Sequence, residues 1–321
     1  MRLEMTTLHT TQEERAPRRP LRTVRWWGLG DQAAPITATL ISLLGISYIV
    51  SFTLWTIVVS FSASEMVPEY SFVGLGNYVA VLKSARWQVA YANLFTYSIC
   101  FVGISTIIGL LLAILIDQRI RGENLLRTIY LYPMAISFVV TGAIWGWILN
   151  PTIGIEQMLL NLGFEGLQFR WATNRNLAIY AVVMAAVWQS AGFATVLFLA
   201  GLRSIDPDLT KAAHIDGAGP IRLYARVLIP TVWPVFIAVL VILLQFAIKT
   251  YDLVVSLTAG GPGISTTLPT LVIYDLIFQR GLLGQGAAAA VMLLLSLTAV
   301  LVPYLVYMRR RGRRERQATG G

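Results

Sequence analysis

Residues 204–230 read SIDPDLTKAAHIDGAGPIRLYARVLIP, and this stretch, set between two long runs without charge, decides the fold. Asp206 followed by Pro207 is a helix start: a carboxylate that caps free backbone N–H groups, then a ring suited to the first helical position. Gly217 supplies a residue that ends such a helix without steric penalty. Gly219-Pro220 opens a second one. Apolar Leu209, Ala212, Ala213 and Ile215, then Ile221, Tyr224, Ala225 and Leu228, fall at helical spacing, with the charged residues on the other faces. The expectation is two short amphipathic helices joined by a glycine turn, at about 204–228. The pattern alone fits equally a loop folded back against its own bundle.

Working outward, the chain has 321 residues, 56% hydrophobic and 13% charged, with a mean hydropathy of +0.67. Soluble domains carry about 25% charged residues, so a cytosolic enzyme is excluded. Six stretches hold no Asp, Glu, Lys or Arg: 32–64, 87–116, 128–155, 176–202, 227–248 and 281–308. Each is long enough to cross a bilayer, which takes about 20 apolar residues. A seventh uncharged run, 253–274, contains Gly260, Gly261, Pro262, Gly263 and Pro269 and is expected to be an extramembrane loop, because such a segment leaves backbone groups unpaired in lipid. The reading is all-α: a polytopic bundle of six spans over residues 32–308, between basic tails at 1–31 and 309–321.

The net charge of +9 could point to nucleic acid, but the 25 basic residues follow the membrane instead. They gather in the N-terminal tail, between spans two and three (Arg119, Arg121, Arg127), between spans four and five (Arg203, Lys211, Arg222, Arg226), and after Met308. The opposite side holds Lys83, Arg86, Arg170, Arg175 and Arg280. Lys and Arg are retained in the cytoplasm, so both termini and the 204–226 segment are assigned inside, and no nucleic-acid partner is needed. The polar first 35 residues are not a cleavable signal. The single Cys100, in mid-span, excludes a disulfide framework, and His9 and His214 are too isolated for a metal site.

The 204–230 segment resembles the signature of ABC importer permeases: a Glu-Ala-Ala element, a glycine, and an Ile-x-Leu-Pro ending at the next span. The matching residues here are Ala212-Ala213, Asp216-Gly217 and Val227-Leu228-Ile229-Pro230, with Lys211 in place of the family's acidic residue. In that family the segment is the coupling helix, seated in a groove of a separate ATPase subunit. The resemblance therefore implies coupling roles for Lys211, Ala212, Ala213, Asp216, Gly217 and Pro230, and a type I importer permease fold. This chain has no Gly-x-x-x-x-Gly-Lys-Ser/Thr phosphate loop. No cofactor is expected in the chain, with ATP and Mg bound by a partner ATPase dimer, and no catalytic residue is assigned.

A second resemblance runs from Tyr251 through Thr258-Ala259-Gly260-Gly261-Pro262 to Gly284-Gln285-Gly286-Ala287-Ala288. It looks like the Thr-x-Gly-Gly-Pro and Gly-x-x-Ala-Ala segments of carbohydrate-uptake permeases. The wider similarity, from about 34 to 308, is greatest to the maltose-type subunit of glucose and α-glucoside importers. It implies a bacterial cytoplasmic-membrane protein, a second non-identical permease, an extracytoplasmic solute-binding protein and a carbohydrate substrate. Glycerol-phosphate permeases share enough of these motifs to stand as the alternative.

For the solute path, Gln245, Lys249 and Asp252 fall at spacings that put them on one face of a helix at the end of span five, where Lys249 and Asp252 can pair. An ionisable pair inside a span marks either a function or a structural link. The resemblance to maltose-type permeases adds Gln189, Ser190, Phe193 and Phe246, while Ala186, Leu243 and Ala247 lack the chemistry such a site needs. A secondary transporter, with its inverted repeats and intramembrane carboxylates, and a membrane enzyme or sensor are the competing classes.

Overall fold

The computed structural model describes residues 30–118, 123–164 and 171–319. Arg119, Arg121, Arg170 and the basic tail up to Leu29 lie outside them. The described residues are helical almost throughout, with one isolated antiparallel bridge between Ser62 and Phe72. The described residues up to Phe52 and those from Thr53 onward form two separate units.

Among the described residues, four helices are long and apolar enough to cross a membrane: α1 (Gly30–Ser60), α3 (Ala85–Asp117), α7 (Ala178–Arg203) and α14 (Leu283–Thr319). The short α2 (Gly76–Lys83) precedes α3. The last helix continues through the predicted C-terminal tail to Thr319. The other two predicted spans are bent pairs. Arg127–Ala135 and Phe138–Ile148 meet at 107°, and Pro220–Thr231 and Trp233–Lys249 at 70°.

Both bends have local causes. α4 (Glu123–Leu131) tightens into a 3₁₀ turn at Tyr132–Ala135 carrying Pro133, and Ser137 restarts the chain as the cap of α5 (Phe138–Ile148), its hydroxyl accepting from the Val140 N–H at 3.3 Å. In the second pair, Pro230 and Pro234 flank Val232, each removing a backbone donor from the helical ladder. Pro133, Pro230 and Pro234 are therefore where two spans break.

The core lies on α7, 18 of whose 26 residues are buried, with α3, the helices Trp233–Lys249 and Asp252–Thr258, and the two halves of span three packed against it. Its Ala-rich face meets α3 closely: a Cβ on Gly109 would lie 2.5 Å from that of Ala194. Such contacts between small residues let helices associate where hydrophobicity gives no preference for protein over lipid. Tyr97 and Phe101 of α3 stack at 5.5 Å and are buried with Phe198 of α7. α11 (Trp233–Lys249) packs against both helices.

The seventh uncharged run is not the loop its glycines and prolines predicted. It folds as α12 (Asp252–Thr258), a turn, and α13 (Pro269–Tyr274), continued by a π turn to Gln279. Leu253, Val254, Leu271 and Val272 are buried, and α12 lies along α5. Threonine hydroxyls meet carbonyls in and beside the turn. Thr266 donates to Gly261 O at 2.9 Å, Thr267 to Gly260 O at 3.3 Å and Thr270 to Thr250 O at 2.8 Å, while Thr258 and Thr266 hydroxyls share a 2.7 Å bond. At the same end, buried Asp275 takes Arg86 at 3.0 Å and Arg280 at 2.7 Å, tying the start of α3 to the turn after α13.

Candidate functional site

The 204–230 segment folds as its local signals dictate. α8 (Pro207–Ile215) begins at Asp206, whose Oδ1 accepts from the Asp208 N–H at 2.9 Å. It ends at Gly217, φ +74°, with Gly217 N donating to His214 O and Ala218 N to Ala213 O, both at 3.0 Å. This pair of bonds is a Schellman closure, whose left-handed residue carries a steric cost for any side chain. α9 (Pro220–Leu223) follows and runs through a π turn, Tyr224–Leu228, into α10 (Ile229–Thr231).

One side of this hairpin holds to the bundle and the other is open. Ala213, Leu223 and Leu228 are buried in the main core. Ile215 and Ile221, on either side of the glycine turn, are 86% and 85% exposed. Two isoleucines standing free at the tip of a polar hairpin are the kind of exposed apolar feature that marks a protein contact. Lys211, Ala212, Asp216 and Gly217 share that exposed surface, Ala213 is an anchor beneath it, and Pro230 sits apart at the bend into α11.

Charge within the hairpin is partly settled internally. Lys211 Nζ lies 2.8 Å from Asp208 Oδ1, one turn earlier on α8. At the base, the Tyr224 hydroxyl donates to Asp117 Oδ2 at 2.8 Å, and Arg203 Nε stands 4.0 Å from Asp117 Oδ1. Asp117 ends α3 and Arg203 ends α7, so one carboxylate gathers these two helices and the hairpin. Sequence reasoning missed this trio, whose members are 107 residues apart for the tyrosine and aspartate. A cavity of about 980 Å³ opens behind the hairpin, lined by Asp117, Arg203, Lys211, His214 and Tyr224 among others.

The predicted solute residues divide. Phe193 of α7 and Phe246 of α11 face each other with ring centroids 5.5 Å apart. Gln189 and Ser190 are buried on α7. Gln189 Nε2 donates to Ile136 O at 2.6 Å, the carbonyl left free where span three breaks, and its Oε1 is buried without a hydrogen-bond partner.

The predicted stripe through 245, 249 and 252 does not form. α11 stops at Lys249, Thr250 is extended, and Asp252 begins α12, so the helical register is lost between them. Gln245 is half-buried, Lys249 and Asp252 are exposed, and no ion pair joins these two. The break is fixed by Thr250, whose hydroxyl donates to Phe246 O at 2.9 Å and meets the Tyr97 hydroxyl at 3.2 Å.

Residues 105–314, about two thirds of the chain, match the family described as binding-protein-dependent transport system inner membrane component. The chain belongs to this family. The permease is 36% identical over 83% of its length to a probable ABC transporter permease protein of Pyrococcus horikoshii, covering 91% of it. It is also 36% identical over 76% of its length to a xylose/arabinose import permease protein of Haloferax volcanii, covering 77% of it. In fold it is similar to a chain of a bacterial alginate ABC transporter, crystallised with an alginate pentasaccharide-bound periplasmic protein. The TM-score is 0.73 at 22% identity, over 89% of the permease and 98% of that chain. The six predicted spans, two of them bent, are thus the helices of an ABC importer permease.

Proposed function

We propose that this permease is one of two non-identical membrane subunits of an ATP-driven importer that carries a carbohydrate into the cytoplasm by alternating access. A separate ATPase dimer holds ATP and Mg and grips the α8–α9 hairpin, and an extracytoplasmic solute-binding protein delivers the solute. Both termini face the cytoplasm, following the distribution of Lys and Arg, and the protein resides in the bacterial inner membrane.

The hairpin carries this reading. Closure of a motor can reorient a bundle only through a stiff contact. Here the contact has a capped start, a Schellman closure, buried anchors, and a base fastened by Asp117 to the ends of two core helices. The carbohydrate assignment is supported by the sugar importers among the relatives and by the facing Phe193 and Phe246, whose rings suit stacking on a pyranose. Gln189 offers one buried acceptor beside them.

The test is to purify the permease with the subunits encoded beside it and measure ATP turnover against a panel of sugars and glycerol phosphate, each presented with the cognate receptor. Sugar-stimulated turnover supports the reading. Stimulation by glycerol phosphate alone replaces the substrate, and purification without any ATPase removes the importer.

A further inference from the structure

On α8 the one lysine is paired with Asp208 within one turn, and Asp206 and Asp216 stand at the helix ends, so this half of the hairpin presents no unpaired Lys or Arg. The second half of the hairpin differs. Arg222 and Arg226 lie four residues apart on the segment after Pro220, both exposed, and neither forms an ion pair with a described residue. Residues four apart share a helical face. With the tip residues Gly217 and Gly219, and with Ile221, they line a concave recess of about 490 Å³. The acid nearest in sequence, Asp216, is on the far side of the glycine turn and does not line it.

We propose that this recess is the electrostatic half of the ATPase contact, taking an acidic side chain of the motor subunit between Arg222 and Arg226 while Ile221 enters an apolar pocket beside it. The inference rests on the docking reading above and adds to it the chemistry of the partner's groove: apolar where it meets the isoleucines, acidic where it meets α9. Two observations favour a protein over a lipid headgroup. The recess is walled by the glycine tip, midway in sequence between α7 and α11, and Ile221, 85% exposed, stands beside the arginines. Guanidinium groups hold carboxylates in a two-pronged geometry that an ammonium cannot reproduce, which suits a specific partner.

The experiment titrates the cognate ATPase subunit onto the full-length permease with its partner permease, in vesicles with and without phosphatidylglycerol, at low and high salt. Arg222→Glu with Arg226→Glu is expected to weaken ATPase binding roughly tenfold or more and to reverse this contact's salt dependence in both lipids, since the new carboxylates repel the acid and salt screens that repulsion. The neutral pair Arg222→Gln with Arg226→Gln gives a smaller loss in the same direction, and serves if the reversed variant fails to fold. Ile215→Asp, outside the recess, monitors the docking reading itself. Loss of binding in Ile215→Asp with none in the arginine variants overturns the acidic contact and leaves docking intact. No loss in either overturns both. A loss confined to vesicles containing phosphatidylglycerol assigns the arginines to lipid and overturns the proposal.

Discussion

The hydroxyl of Tyr224 donates to Oδ2 of Asp117 at 2.8 Å, joining the π turn after α9 to the last residue of α3. Arg203 approaches the same carboxylate from the end of α7. A displacement of the hairpin therefore meets resistance from both core helices at once.

Tyr224→Phe removes that bond and nothing else. A hydrogen bond to a charged group contributes about 1.5–3 kcal/mol when buried, and this one is half-buried, so the loss should be near the lower end. Binding of the ATPase should persist while solute-stimulated ATP turnover falls. Equal losses in both would place Tyr224 in docking rather than in transmission.

At Gly217 no neighbouring atom would meet an added Cβ, so the only cost is the left-handed backbone. Gly217→Asn, which tolerates that conformation, should retain coupled turnover. Gly217→Val should lose it while inserting normally into the membrane. Full activity in the valine variant would show that the turn is not used as a rigid element.

Gln189→Leu leaves the Ile136 carbonyl without its donor at the break of span three. An unsatisfied buried acceptor costs about 1–3 kcal/mol. The variant should therefore unfold at a lower temperature in detergent, whether or not solute is present. A normal melting temperature with impaired uptake would make Gln189 a solute contact alone.

Phe246→Ala opens the space opposite Phe193, and the solute concentration for half-maximal uptake should rise several-fold with little change in ATPase assembly. Uptake curves that superimpose on those of the parent would take the aromatic pair out of the path.

Asp275→Asn should destabilise by about 2 kcal/mol. Removing one partner of a buried ion pair costs about 3–5 kcal/mol, but Arg86 and Arg280 are both partly exposed and can regain water. Thermal unfolding measures it. The carboxamide should not alter ATPase binding, since the residue stands at the opposite end of α3 from Asp117.

What could be read from the chain was what local chemistry specifies. Asp206, Pro207, Gly217 and Pro220 each act through atoms within a few residues, and the hairpin they predict is the hairpin found. The spans follow from where charge is missing. The failures are nonlocal. Periodicity carried Gln245, Lys249 and Asp252 onto one face, but the chain leaves the helix at Thr250, whose hydroxyl meets that of Tyr97, 153 residues earlier. Pro133 and Pro230 lie at the two breaks, but the angles there depend on what the broken ends rest against, Gln189 in the first case. The 253–274 run looked like loop because its helices are too short for a crossing and its glycines conceal the threonines that close it.

That closure also bears on how importers of this kind could be recombined. The stretch from Thr258 to Thr267 carries its own fasteners, since hydroxyl and carbonyl alike come from within ten residues. It should tolerate serine at these positions and reject valine, although valine has the threonine shape. It can be lifted into another scaffold as a cassette, with two seams to be matched: the hold of Thr270 on Thr250, and Asn93, whose amide donates to the Ile264 and Thr267 carbonyls.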